Sequence, residues 1–180
     1  MMKQSGVTLL ELMVVLAIAA ILLLAGIPSF ASLINSTRLS TATNEMISSL
    51  HLTRSEAIKR NSRAVMCTSA TGTSCAVSGG WHQGWLVFHD ANNNAKLDLG
   101  ETVVLTRQAL PAGLWATSTG TTARYVSYAP SGGTKQVSGA WQGGTLTLCN
   151  ESGSLNSARK VIISSTGRPR TEKTTLASCP

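Results

Sequence analysis

KQSGVTLLELMVVLAIAAILLLAGIP, residues 3–28, decides the architecture of this chain. From Val7 to Ile27 the run is 21 residues long and carries one charge, Glu11. A bilayer core about 30 Å thick takes roughly 20 apolar helical residues, so the run has the length to span. An ordinary secretory signal places its cleavage site after the apolar stretch. Here Lys3 and the small residue Gly6 both precede it. Cleavage after Gly6 would therefore leave the apolar helix in the mature chain. A carboxylate inside such a helix costs about 2.5–3.5 kcal/mol on insertion scales and needs a partner, which makes Glu11 a functional candidate.

Working outward, Pro28 ends the apolar run. A proline removes one helical hydrogen bond and kinks the chain. Beyond it Leu39, Ala42, Met46, Leu50, Thr53 and Ala57 recur at three- and four-residue steps, the spacing of one helical face. Arg38, Glu45, Arg54 and Lys59 fall mostly elsewhere on the helix surface. Asn61 and Ser62 read as stop signals. From Ala64 the pattern changes to short apolar runs between turn clusters such as Ser78-Gly-Gly and Ser131-Gly-Gly. The expected strands are Ala64–Cys67, Trp85–Phe88, Thr102–Arg107, Arg124–Tyr128, Thr145–Cys149 and Lys160–Ser164. The fold class expected is α+β: one long helix packed on an antiparallel sheet domain.

The net charge is +7 in 180 residues. Arg159, Lys160, Arg168, Arg170 and Lys173 stand against Glu172 alone in the last 22 residues, while residues 64–158 balance to zero. A localised basic tail points to a polyanion or an acidic surface. Cys67, Cys75, Cys149 and Cys179 form no CxxC pair, and an even count in an exported chain reads as two disulfides. Three pairings are open. Cys67–Cys75 with Cys149–Cys179 is favoured, because adjacent strands could bring each pair together.

The opening KQSG-VTLLE closely resembles the leader of type IV prepilins and pseudopilins. That resemblance implies a membrane prepilin peptidase that cuts between Gly6 and Val7 and methylates the amine of Val7. It implies that Glu11, fifth in the mature chain, pairs with the Val7 amine of a neighbouring subunit during assembly. The usual first residue is phenylalanine, and here it is valine. Further blocks resemble the FimT/GspH group of minor pilins and pseudopilins: GWLVFHDANNNAKLDLGETVVL (84–105), the Tyr125–Tyr128 strand, GTLTLC (144–149) and KVIISSTGRPR (160–170). The implied organisation is leader 1–6, transmembrane and filament-core helix 7–30, amphipathic helix half 31–62 and β-rich domain 63–180. The implied location is the inner membrane with the domain in the periplasm, then an extracellular pilus, with other pilin subunits as partners.

Gly-Arg-Pro-Arg at 167–170 resembles the tail motif of FimT-type pilins that bind DNA in natural transformation. By that resemblance Arg168 and Arg170 are the leading contacts, and Lys160, Lys173 and Arg159 support them on charge alone. Pro169 biases Arg168 toward extended geometry, so the two arginines would point the same way, on the order of 6.6 Å apart. A Cys149–Cys179 bridge would close the tail into a loop and cut its ordering cost on a ligand. The tail contains no aromatic residue, so the expected partner is double-stranded DNA held at its backbone. A structural subunit of a type II secretion pseudopilus, or a pilus-priming subunit without DNA, is the other reading.

Asp90, Asn92, Asn94, Asp98 and Glu101 fall at positions 1, 3, 5, 9 and 12 of an EF-hand-like loop. Ala95 stands where the sharp turn wants glycine, so a hairpin connection is expected there and no metal. His51, His82 and His89 are scattered, and no phosphate loop or nucleophile elbow is present. No enzyme activity and no cofactor are expected. Trp81, Trp85, Trp115 and Trp141 are expected in the core or at subunit contacts.

Overall fold

The computed structural model describes residues 6, 8–150 and 156–179, with side chains at 24–29 and 156 set aside. Two compact units form, residues 1–37 and residues 38–180. One helix, α1 (Leu9–Arg60), contributes to both. Thr8 starts it: its hydroxyl accepts the Glu11 N–H at 3.3 Å and its carbonyl accepts the Leu12 N–H at 3.1 Å. Thr8 is thus the cap and Glu11 sits three residues on, where a negative charge suits the helix N-terminus. Within the first unit Leu9, Leu10, Val15 and Leu22 are each more than half exposed. Among the described residues no helix is long and apolar enough to cross a membrane. Val7 and the side chains of 24–27, which complete the 21-residue run, lie outside them.

The helix ends by a change of hand. Asn61 has φ 49°, its N–H bonds the Ile58 carbonyl and the Ser62 N–H reaches back to Ala57. That is the Schellman pattern, which asparagine tolerates better than most residues. In the second unit Leu39, Ala42, Met46, Leu50, Thr53 and Ala57 are buried along one face. Thr43 and Thr53 enter that face because each hydroxyl bonds the carbonyl four residues back.

Eight strands follow: β1 (Ala64–Thr68), β2 (Trp85–His89), β3 (Val103–Arg107), β4 (Leu114–Gly120), β5 (Tyr125–Tyr128), β6 (Gly144–Asn150), β7 (Asn156–Ile163) and β8 (Pro169–Leu176). They form two antiparallel sheets, ordered β3-β2-β1-β5 and β4-β6-β7-β8. Alternation puts Ala64, Met66, Trp85, Val87, Val126 and Tyr128 of the first sheet into one core with the buried face of α1. Leu114, Ala116, Leu146, Leu148, Val161 and Ile163 of the second sheet join that core. On the far side of the first sheet Val65, Cys67, Leu86 and Phe88 lie under Ala95, Leu97 and Cys75. β1 and β2 are therefore buried on both faces, which is why AVMC and WLVF read as unbroken apolar runs.

Two strands differ from the expected set. β4 was not foreseen, and the tail forms β8 where a closed loop was expected. β8 pairs with β7 along all eight residues, from Asn156↔Leu176 to Ile163↔Pro169. It is an edge strand with few buried residues, so its polar sequence shows little alternation, and a proline at its first position is tolerated there. The bonds Cys67–Cys75 and Cys149–Cys179 span Cα distances of 5.6 and 5.9 Å.

Glu56 ties α1 to β2. Its Oε2 accepts from His89 Nε2 and from Arg60 Nε, both at 3.2 Å, and Lys59 lies 3.7 Å from Oε1. The His89 hydrogen bond, helped by Lys59 and Arg60, outweighs burial and holds the Glu56 carboxyl below its ordinary value of 4.5. Asp90 is the opposite case. Burial pushes its carboxyl up, although it accepts the N–H groups of Ala95 and Asn94.

Candidate nucleic-acid interface

The basic tail is launched by a fixed turn. Ser164 accepts the Gly167 N–H at 2.9 Å, and Gly167 has φ 74°. A side chain at Gly167 would run into the Gly132 carbonyl and the Tyr128 ring, so the chain passes there because the residue has none. Thr134 holds the turn from outside. Its N–H bonds the Ser165 carbonyl at 3.1 Å, and its hydroxyl lies 3.0 Å from the Ser164 carbonyl and 2.6 Å from that of Gln142. Buried Gln142 bonds the carbonyls of Thr121 and Tyr125 and the N–H of Ser127. The loop between β5 and β6 is thereby locked against the start of the tail.

The five basic candidates do not share one surface. In the β7–β8 register Arg159 stands opposite Lys173, Lys160 opposite Glu172 and Ile162 opposite Arg170. Val161 and Ile163 point into the core, so Arg159, two residues from Val161, lies on their side. There its Nη2 donates to Ser40 of α1 at 2.7 Å. Its guanidinium is half-buried and joins β7 to the helix. Lys173, opposite it, is exposed at the sheet edge on that same side. Lys160 and Arg170 lie on the outer face, with Glu172 beside Lys160. Arg168 sits just ahead of the strand and is exposed. Among the described residues no carboxylate forms an ion pair with Arg168 or Arg170.

A residue not foreseen at this site is Trp141. Trp81 and Trp85 are buried and donate to the Thr122 carbonyl and the Ser49 hydroxyl. Trp115 is 37% exposed and Trp141 67% exposed. A Cβ at Gly133 would stand 3.1 Å from the Ser165 carbonyl and 3.7 Å from Trp141 Cζ3. The indole edge and the tail turn thus flank one glycine. The Lys135 ammonium lies 5.4 Å from the Trp141 ring centre, a cation–π distance. Arg63 donates to the Gln136 carbonyl of the same hairpin at 3.1 Å. Trp141 lies 27 residues before Arg168 in the chain, so no local pattern links them.

The loop after β2 has a geometry its sequence did not promise. Ala95 adopts φ 56° and Asn93 φ 61°, so alanine occupies the left-handed position assigned to glycine. Asp98 accepts from the Asn92 and Asn94 amides, and Glu101 from the N–H groups of Ala91 and Asp98. Those two amides also hold the Asp98 carboxyl below its ordinary range. Among the described residues no group of three or more His, Cys, Asp or Glu is arranged to hold a metal. His82 contacts the Trp115 ring at 4.7 Å, and His51 is exposed.

Residues 42–167, most of the sheet-bearing unit, match the family described as type II transport protein GspH. The chain belongs to the GspH family. Residues 1–27 match the prokaryotic N-terminal methylation motif. The fold, a long helix followed by antiparallel sheets, is similar to that of the type IV minor pilin FimU of Pseudomonas aeruginosa, solved in two crystal forms. One matches with a TM-score of 0.57 at 18% identity, covering 81% of this chain and 97% of that one. The other matches with a TM-score of 0.55 at 18% identity, covering 79% and 100%. No curated protein sequence matches the chain. This GspH-family subunit therefore has the type IV pilin fold. The leader positions Gly6 and Val7 fall within the matched methylation motif; Gly6 is exposed, and Val7 lies outside the described residues.

Proposed function

We propose that this subunit is a minor pilin of a type IV pilus that holds double-stranded DNA through Arg168 and Arg170 during natural transformation. The observation that carries the reading is a pair of arginines that no carboxylate among the described residues ion-pairs, at the start of a hydrogen-bonded edge strand. Guanidinium groups engage phosphate in bidentate fashion, and a site that is already ordered loses little entropy on binding. Lys160 adds charge on the outer face and Lys173 at the edge, while Arg159 serves the packing of α1. Contacts of this kind read the backbone and carry little sequence preference.

The methylation motif supports cleavage between Gly6 and Val7 by prepilin peptidase, methylation of Val7, and pairing of Glu11 with the Val7 amine of the next subunit. The subunit would wait in the inner membrane, its domain in the periplasm, before joining other pilins in an extracellular fibre.

The test uses the full chain in detergent. Arg168→Ala with Arg170→Ala should abolish electrophoretic retardation of duplex DNA. Wild-type affinity should fall with salt at a log–log slope of about −0.9 per phosphate neutralised. Retardation that survives the double substitution rejects the tail assignment. A second reading, a pseudopilin of a type II secretion machine, is favoured by the family's own description. It predicts binding to partner pseudopilins and none to DNA.

A further inference from the structure

We propose that Trp141 is a base-stacking platform, so that the arginine site takes an unpaired base as well as the phosphate backbone. This rests on the DNA reading above and extends it to the strand state of the DNA.

Three observations carry it. First, a tryptophan 67% exposed leaves a large apolar surface in water. Its strand neighbour Lys135 and the bonds from Gln136 to the carbonyls of Trp141 and Ala140 hold its backbone in a short hairpin. Second, the ring edge and the Ser165 carbonyl share Gly133 as neighbour, and Arg168 follows three residues after Ser165. Third, the local charge is cationic. Lys135 lies at the ring itself, Arg63 reaches the same hairpin, and Arg168 leaves the adjoining turn.

A solvent-facing ring beside backbone-binding cations is the combination that binds single strands with little sequence preference. A base inside a duplex offers its faces only to its stacked neighbours. An unpaired base, at an overhang or in a single strand, can lie on the indole while its phosphates meet Arg168 and Arg170. The site should therefore bind a single strand, or a duplex with an overhang, more tightly than a blunt duplex of equal charge.

The experiment measures binding of a thymine homopolymer and of a blunt duplex of matched length. It compares the full chain in detergent with Trp141→Ala and Trp141→Phe. Stacking on one ring is worth enough to change affinity on the order of tenfold. Trp141→Ala should weaken homopolymer binding by about that factor and leave duplex binding within about twofold. Trp141→Phe, which keeps an aromatic face, should recover most of the loss. Homopolymer binding unaffected by Trp141→Ala overturns the proposal. Equal losses for both ligands, or no recovery by phenylalanine, overturn it too and assign Trp141 to shaping the turn. Failure of the wild type to bind either ligand overturns the DNA reading itself and this extension with it.

Discussion

Glu56 shows how one carboxylate can hold a helix to a sheet in a chain with few charges. Its folded pKa lies below 4.5 because His89, Lys59 and Arg60 favour the ionised form. A lowered carboxyl pKa contributes stability that is complete above the unfolded value and is lost as pH falls through the folded one. Glu56→Gln should therefore lower stability by about 1 kcal/mol at neutral pH. The deficit should shrink below pH 4.5. Thermal unfolding of both proteins from pH 7 to pH 3 checks this, and a constant deficit would contradict it. Asp90 has the opposite sign but is present in both proteins, so it cancels in the difference. At this scale the sequence exposed charge well and neighbourhood poorly. Arg168 and Arg170 stood out because they are close together in a basic tail. Trp141 did not, because only the hairpin fold carries it to Ser165. Arg159 looked like its neighbour Lys160, and only the two-residue period of a strand sends it toward α1.

β8 is held at its start by a turn that tolerates no side chain. Gly167→Ala would force a left-handed conformation on alanine and a collision with the Gly132 carbonyl. A loss on the order of 1–3 kcal/mol is expected. Faster amide exchange in Arg170–Leu176 should accompany it, because among the described residues the strand pairs with β7 alone. Unchanged exchange there would show that pairing with β7 alone fixes the tail. Elements buried on two faces were readable from composition, as β1 and β2 were, and so was the apolar face of α1. β4, LWATSTG, was missed because small and hydroxyl side chains dilute its alternation. β8 was missed because an edge strand needs no apolar face.

For the molecule as a whole, the α+β architecture was legible in the switch from a long apolar helix to short alternating strands. The position of Glu11 supplies the test of assembly. An unpaired carboxylate in an apolar phase costs about 2.5–3.5 kcal/mol, which a neighbour's amine would recover. Glu11→Ala should leave the subunit in the membrane fraction and reduce it at least tenfold in sheared fibres, as read by immunoblot. Equal incorporation would remove the pairing. The covalent link from Cys149 to Cys179 closes 30 residues of chain around the arginines, and such a closure favours the folded tail by roughly 3–4 kcal/mol. Thiols stay reduced in a cytosol, so a newly made chain there lacks one of the restraints on its last strand. If the tail holds DNA as proposed, oxidation would set an order in time: export first, then the finished site. On that reading the cell's own chromosome would meet only the unfinished tail, and nucleic acid outside the cytosol the closed one.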